Sequence, residues 1–158
     1  MTVDEQGKLH LLASLAYEFN AAGLCWSLGA SCFLYLKKIA PTFHDLDFMM
    51  ALADVRKAEA ILAKRGLKQP ERYDQTKYGT KVFVEYVVEG VDVDLMADFS
   101  IIKGGKEYPY PLFPEAIVER YDLAGIMIPF ESLLVWRERY ALMDRKEKVA
   151  MIDASLKR

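Results

Sequence analysis

Two pairs of aspartates are the residues of this sequence most suited to chemistry. Asp45 and Asp47 lie in the segment 44–50, whose apolar residues alternate as in a strand, and Asp92 and Asp94 repeat the spacing farther along the chain. Asp is disfavoured in strands because its short side chain competes for backbone hydrogen bonds. Residues two apart in a strand project from one face, so each pair would hold like charges side by side. A divalent cation offsets that repulsion, and carboxylate oxygens suit Mg²⁺ or Mn²⁺.

A hairpin predicted over residues 81–99 adds a third acid to this pattern. Glu89-Gly90 is a good two-residue turn, and the register that it sets places Glu85 directly opposite Asp94. Like charges in that position destabilise a sheet, so the two acids are expected to share a proton or a cation. The alternative is a solvated sheet face on which the repulsion is tolerated.

The segment Gly29-Ala30-Ser31 is predicted to be a turn between a buried strand (24–28) and a helix (32–39). Small residues let a ligand approach the backbone, and a helix N-terminus offers free N–H groups to an anion. A phosphate cradle next to metal-binding carboxylates is what phosphoryl transfer requires. The alternative is a turn that only lets the helix pack closely.

The remaining elements have to position these residues. Helices are predicted over 3–22, 54–65, 131–143 and 145–156, and a short strand over 125–128 that stops at Pro129. The segment 69–80 is expected to be a loop or an irregular edge strand, and 103–114 a loop that could include one short edge strand. This order predicts an α/β (α+β) protein with a mixed β-sheet of about five strands, flanked by helices and followed by two C-terminal helices.

Length and composition set the broad class. With 158 residues, 53% apolar and 28% charged, one folded domain spanning 1–158 is expected. A formal net charge of −2 argues against binding a nucleic-acid backbone by bulk electrostatics. Cys25 and Cys32 fit no zinc pattern, and a reducing cytoplasm is the expected location. The uncharged stretch 19–36 is broken by glycines, so we expect a buried strand and a helix start rather than a membrane span, and no signal peptide.

The order of these motifs resembles the DNA-polymerase-β-like nucleotidyltransferase superfamily. The resemblance rests on the Gly29-Ala30 turn, the strand His44-Asp45-Leu46-Asp47-Phe48 and the later strand Val93-Asp94-Leu95, and it runs from residue 24 to about residue 96. It looks closest to the small stand-alone bacterial members, a group that includes lincosamide-type antibiotic nucleotidyltransferases.

The resemblance implies a nucleotidyltransferase fold with a metal-dependent reaction. Asp45 and Asp47 would bind two divalent ions, and Asp94 would be the third acid, which contacts one metal and orients or deprotonates the acceptor hydroxyl; Asp92 is the alternative. The phosphates of a nucleoside triphosphate would rest on Gly29, Ala30 and Ser31. Attack on the α-phosphorus would transfer a nucleoside monophosphate and release pyrophosphate.

Two features depart from the family pattern. Ala30 stands where Gly or Ser is usual, so a hydroxyl contact would have to come from Ser31. Residues 41–43 replace an Arg that many relatives have before the Asp-x-Asp strand. Candidates to replace its phosphate contact are Lys37, Lys38, Arg145 and Lys148. Of these, Lys148 is assigned to nucleotide binding, while Arg145, Glu85 and Asp92 are expected to surround the acids.

The acceptor is expected to be the hydroxyl of a small molecule. A tRNA or a protein, as for toxin-like relatives, is the second choice, because the chain has no evident RNA-binding extension. The rival from another class is a catalytically silent nucleotide-binding module. The tyrosines at 73, 78, 108, 110 and 121 could stack on a base or an aromatic acceptor, or could pack on the sheet.

Overall fold

The structure, a computed structural model, describes residues 2–72 and 74–158. Tyr73, one of the tyrosines considered for stacking, therefore lies outside the described residues. The helices are α1 (Glu5–Ala21), α2 (Ala30–Leu36), α3 (Val55–Ala63), α4 (Leu133–Leu142) and α5 (Lys146–Leu156). The strands are β1 (Trp26–Gly29), β2 (Leu46–Met50), β3 (Gly66–Lys68), β4 (Val82–Val88), β5 (Val91–Ala97), β6 (Phe99–Lys103), β7 (Lys106–Tyr110), β8 (Ile117–Leu123) and β9 (Ile126–Glu131).

A five-stranded mixed sheet forms the centre, in the order β1-β2-β5-β4-β3. Strands β2 and β5 pair in parallel, and the other neighbours are antiparallel. This confirms the predicted mixed sheet of about five strands and the two C-terminal helices. The predicted hairpin register is also confirmed, including Glu85 opposite Asp94.

Two further hairpins were not predicted. The segment expected to be mostly loop contains β7, which pairs with β6 through the turn Gly104-Gly105, where both residues have positive φ as a tight hairpin turn requires. Strand β8 is largely solvent-exposed, so its sequence lacks a clear alternation. Strand β9 continues through Pro129 and does not stop there, since proline fits an extended backbone where its missing N–H is not needed by the ladder.

One face of the sheet packs against α1 and forms the main core. The rings of Phe19, Trp26 and Phe48 meet edge to face, with centroids 5.1–5.5 Å apart. Alternate residues of β2, β4 and β5 join this core, which leaves the opposite face of the same strands to carry Asp47 and Asp94.

A buried ion pair fixes α4 over that opposite face. The Arg139 guanidinium, 2% exposed, donates two hydrogen bonds to Glu131, which is 4% exposed and also accepts from the Ser27 hydroxyl. The rings of Trp136 and Tyr110 lie 4.6 and 4.7 Å from the guanidinium carbon. The pair thereby links β1, β9 and α4 and holds α4 where it can form one wall of a cleft.

Among the residues that the structure describes, no helix has both the length and the apolar character needed to cross a membrane.

Candidate active site

Gly29 and three acids lie in one row that crosses four strands. Strand pairing places Gly29 opposite Asp47, Asp47 opposite Asp94, and Asp94 opposite Glu85. Because partners in register project from the same face, the glycine turn and the three carboxylates follow one line across the sheet. Asp45 comes just before β2 and adds a second carboxylate on the same side.

Asp45, Asp47 and Asp94 converge on one point. Each offers a carboxylate oxygen, and these oxygens all lie within 4.8 Å of one another. Asp92 belongs to a different, more exposed group with Asp45 and His44, whose Nε2 lies 3.7 and 3.8 Å from the two carboxylates. The structure therefore brings Asp94, and not Asp92, into the group that contains Asp47.

Burial and mutual repulsion make this cluster electrostatically costly. Burial, followed by the charge of Asp94, raises the pKa of Asp47 well above its usual value. Burial is also the main cause that raises the pKa of Asp94, with the charges of Asp45 and Glu85 adding to it. Burial raises the pKa of Asp45, while His44 acts in the opposite direction. In the apo protein the cluster therefore retains protons that isolated aspartates would lose.

The donor set fits a hard divalent cation. Oδ1 of Asp45 is buried without a hydrogen-bond partner, and within residues 2–72 and 74–158 neither Asp47 nor Asp94 has an ion-pair partner. All three donors are carboxylate oxygens, which Mg²⁺ and Mn²⁺ prefer over softer ligands. A cation among them would offset both the burial and the mutual repulsion that raise the pKa values of these carboxyl groups.

The third acid of the row, Glu85, is neutralised by the protein itself. Arg72 donates from Nε and Nη2 to the two oxygens of Glu85, at 2.8 and 2.9 Å. The guanidinium side chain is 81% exposed, whereas Glu85 is 15% exposed. Glu85 therefore has a cation of its own, and the expected sharing with Asp94 is not needed. Arg72 lies in the polar segment predicted as a loop, and nothing in its sequence spacing indicated this partner.

The turn before α2 is shaped by packing and by one unusual backbone angle. Gly29 has an extended backbone (φ −120°), and a Cβ there would lie 2.3 Å from Cζ2 of Trp136. The absence of a side chain at Gly29 thus lets α4 approach β1. Ala30 is the residue in the left-handed region, with φ +54°, a conformation that glycine adopts at less cost.

Lys148 is the basic residue that reaches this turn. Its Nζ donates to Oγ of Ser31 at 3.4 Å. Partial burial lowers the pKa of Lys148, and the positive charge of Arg145 lowers it further. An anion bound next to the Lys148 ammonium would favour the charged form of the lysine and so raise its pKa.

The other basic candidates have different positions. Lys37 forms an ion pair with Glu119 of β8 at 2.7 Å. Lys38 follows α2 with a left-handed backbone. Arg145 lines the cleft, pairs with Glu147 at 2.7 Å and lies 6.0 Å from the Tyr140 ring.

A cleft of about 830 Å³ opens above the acids. Its floor contains the acid row and its upper wall is α4, from which Trp136 and Tyr140 face the cavity. Both residues are buried, yet Nε1 of Trp136 and the hydroxyl of Tyr140 have no hydrogen-bond partner in the described part of the chain. An unpaired buried donor costs about 1–3 kcal/mol, which a ligand oxygen would recover. The sequence analysis did not single out either side chain.

The tyrosines considered for stacking differ in whether they line the cleft. Tyr78 lines the cleft and donates to Sδ of Met143 at 3.5 Å. Tyr110 packs on Arg139, and Tyr121 stacks on Phe130, so both have structural contacts. Tyr108 lies 5.0 Å from the Lys106 ammonium.

No family model and no curated protein sequence matches this chain. Solved structures do resemble it. A proposed nucleotidyltransferase from Thermotoga maritima superposes with a TM-score of 0.73 at 19% identity, covering 99% of this chain and 96% of that one. ANT(2″)-Ia in complex with adenylyl-2″-tobramycin gives a TM-score of 0.63 at 12% identity, covering 94% and 89%.

The lincosamide antibiotic adenylyltransferase LnuA, bound to lincomycin, gives a TM-score of 0.56 at 14% identity, covering 86% of this chain and 85% of that one. The nucleotidyltransferase fold predicted from the order of the motifs is therefore confirmed.

Proposed function

We propose that this chain, acting as one domain, is a metal-dependent nucleotidyltransferase. It would move a nucleoside monophosphate from a nucleoside triphosphate to the hydroxyl of a small molecule. The observation that carries the proposal is the convergence of Asp45, Asp47 and Asp94 within 4.8 Å, in one row with the turn at Gly29. Three partly buried carboxylates next to a small-residue turn fit the needs of this reaction for a metal site and a phosphate site.

Asp45, Asp47 and Asp94 are the residues that would hold the divalent ions, Mg²⁺ or Mn²⁺. When bound, such an ion supplies positive charge to the phosphate oxygens and lowers the pKa of the attacking hydroxyl. Asp94 would in addition accept the proton of the acceptor hydroxyl, since it lies in register between Asp47 and Glu85, on the side of the row away from the turn.

The turn would hold the phosphates. Ser31 offers a hydroxyl, and Lys148 places its ammonium on that hydroxyl, where it would pair with a phosphate oxygen. Lys148 is thus the favoured replacement for the arginine that the sequence lacks before β2. The Tyr140 hydroxyl is a further hydrogen-bond donor in the cleft. It stays protonated because burial, and after it the charge of Asp47, raises the pKa of Tyr140.

The order of the row gives the direction of transfer. With the β- and γ-phosphates over β1, the bond that breaks lies between the α-phosphorus and the oxygen of pyrophosphate. The new bond, from the acceptor oxygen to phosphorus, must form on the opposite side, over β5 and β4. The acceptor proton moves to Asp94, and pyrophosphate leaves toward the turn.

A small-molecule acceptor is supported by two of the similar structures, which contain adenylyl-2″-tobramycin and lincomycin. The net charge of −2 makes a nucleic-acid acceptor less favourable. The two free cysteines support a cytoplasmic location.

Nucleotide binding is tested by thermal unfolding with a panel of nucleoside triphosphates and Mg²⁺. A nucleotide at 100 times its Kd adds about 2.7 kcal/mol, which corresponds to about 5–11 °C for a chain of this length. Transfer is tested by release of labelled pyrophosphate in the presence of hydroxyl acceptors. Binding without any release would identify a silent nucleotide-binding module, and no thermal shift with any nucleotide would refute the proposal.

A further inference from the structure

A second row of side chains lies next to the acid row on the same sheet face. Met49 of β2 pairs with Met96 of β5, and Met96 pairs with Phe83 of β4. Each residue is two positions from Asp47, Asp94 or Glu85, which corresponds to about 7 Å along the strands. An apolar strip therefore begins one side chain away from the proposed base.

The cleft wall above this strip is also apolar. Phe99, Trp136 and Met143 line the cavity together with the strip. Phe83, Met96 and Met143 keep part of their surface open to the cleft, so a bound molecule would bury that surface. Methionine side chains adapt to apolar ligands of irregular shape, and aromatic side chains favour ligands that contain planar rings.

Outside the three-aspartate cluster, the charged residues that line the cleft are Asp74, Glu85, Arg72 and Arg145. Glu85, two positions from Phe83 on β4, is already held by both donors of Arg72. Asp74 is exposed and accepts hydrogen bonds from the backbone N and the hydroxyl of Thr76. Arg145, the other guanidinium of the lining, is likewise paired with Glu147. A positively charged group over the apolar strip would lose its hydration, and Glu85 beside the strip is already paired.

We propose that the acceptor is a largely apolar alcohol or phenol without positive charge, bound over Met96 and Phe83 with its hydroxyl at Asp94. This inference rests on the proposed function and names its substrate class. A cleft that binds a polycationic aminoglycoside such as tobramycin would need unpaired carboxylates at this position. This chain has an apolar strip and Arg72 there.

Three phenols that share a 4-alkylphenol skeleton test the charge preference directly. 4-Ethylphenol is neutral, tyramine adds an ammonium, and 3-(4-hydroxyphenyl)propionate adds a carboxylate. Binding to the wild-type protein is measured by ligand-observed NMR titration, with saturating Mg²⁺ and without nucleotide. We expect 4-ethylphenol to bind and tyramine to bind at least about tenfold more weakly, because the ammonium would lose its hydration over the apolar strip. Equal or tighter binding of tyramine, or no binding of 4-ethylphenol, would overturn the proposal.

Arg72→Gln supplies the second test. This change leaves Glu85 without its cation, so tyramine should gain affinity relative to 4-ethylphenol by about tenfold. Arg137→Gln is the matched control, because Arg137 pairs with Asp153 outside the cleft and should leave the ratio unchanged. An unchanged ratio in Arg72→Gln would contradict the role of Arg72.

Phe83→Ala locates the bound phenol. Loss of the ring should weaken 4-ethylphenol severalfold, while binding of a nucleotide with Mg²⁺ is unaffected, since the phosphates lie over β1 on the far side of Asp94. If the nucleotide binds normally and the phenols do not bind, the proposed acceptor class is refuted and the proposed function is not. Failure of nucleotide binding would refute the proposed function, whatever the phenols do.

Discussion

Asp47 and Asp94 lie directly opposite each other in the parallel pairing of β2 and β5. Parallel neighbours at the centre of a sheet are normally apolar on both faces, since such sheets are covered on both sides. Here the carboxyl pair is partly buried, and burial together with the charge of Asp94 raises the pKa of Asp47, while a hydrogen bond with Asp47 lowers the pKa of Asp94 against the larger effect of burial. The proposed divalent cation would explain why the sheet tolerates this pair, and the first two predictions follow from it.

Asp47→Asn should stabilise the metal-free protein and abolish its response to Mg²⁺. The amide removes one buried charge next to Asp94, and a gain of about 1–2 kcal/mol at pH 8 is expected. Urea unfolding with and without Mg²⁺ measures both effects. Asp92→Asn serves as the control: it should change neither, because Asp92 is exposed and lies outside the cluster. A destabilised, Mg²⁺-responsive Asp47→Asn protein would contradict the assignment.

The stability of the metal-free protein should fall as pH rises. The folded-state pKa values of Asp45, Asp47 and Asp94 are raised, so their contribution to stability is fully present below the usual aspartate pKa of about 4. It is lost as pH increases through the raised values. A decrease of about 2 kcal/mol across that window is expected.

Saturating Mg²⁺ should abolish this decrease, because the ion favours the ionised carboxylates. Chemical unfolding at several pH values, in EDTA and in Mg²⁺, provides the measurement. If the two stability profiles ran parallel, the acids would not be the metal ligands.

Gly29→Ala should destabilise the protein by about 1–3 kcal/mol through overpacking. The new methyl group would overlap the indole of Trp136, whose Cζ2 and Cη2 lie 2.3 and 2.7 Å from the position of the added Cβ. Trp136→Phe removes those two atoms, so the double variant should recover part of the loss relative to Trp136→Phe alone. A double-mutant cycle by thermal unfolding measures this coupling. Additive effects would show that the two residues do not clash.

Ala30→Gly should stabilise the fold by up to about 1 kcal/mol, since Ala30 has a left-handed backbone that glycine adopts without the steric cost of a Cβ. Ala30→Val should have the opposite effect, because a β-branched residue fits that region poorly. The pair is compared by urea unfolding. Equal destabilisation by both changes would mean that the strain at residue 30 is negligible.

Tyr140→Phe separates a binding role from a structural one. The buried hydroxyl has no partner in the described residues, so its removal should leave the stability unchanged or slightly higher. Nucleotide affinity should fall severalfold if the hydroxyl donates to a bound nucleotide. Calorimetric titration in Mg²⁺ measures the affinity. A loss of stability with unchanged affinity would assign Tyr140 to packing alone.

The acid row could be predicted from the sequence because its causes are local. The alternation of residues 44–50 fixes the strand face of Asp47, and the turn Glu89-Gly90 fixes the register that places Glu85 opposite Asp94. The pairing of β2 with β5 came only from the resemblance, since no local pattern states which strands become neighbours.

Arg72, Trp136 and Tyr140 could not be predicted, because their roles depend on tertiary contacts. Arg72 reaches Glu85 from a polar segment without periodicity, and Trp136 meets Gly29 from more than 100 residues away. Strand β8 was missed for a related reason. Within residues 2–72 and 74–158 it pairs with β9 alone, and most of its side chains face solvent, so burial imposes little pattern on its sequence.

The most direct measurement is a crystal structure with Mn²⁺ and a nucleoside triphosphate analogue that cannot be hydrolysed, with anomalous diffraction recorded at the manganese edge. We predict a manganese peak within direct coordination distance of the carboxylate oxygens of Asp45, Asp47 and Asp94, with the phosphates extending toward Ser31 and Lys148. Manganese bound elsewhere, or a nucleotide seated away from these three acids, would contradict the account.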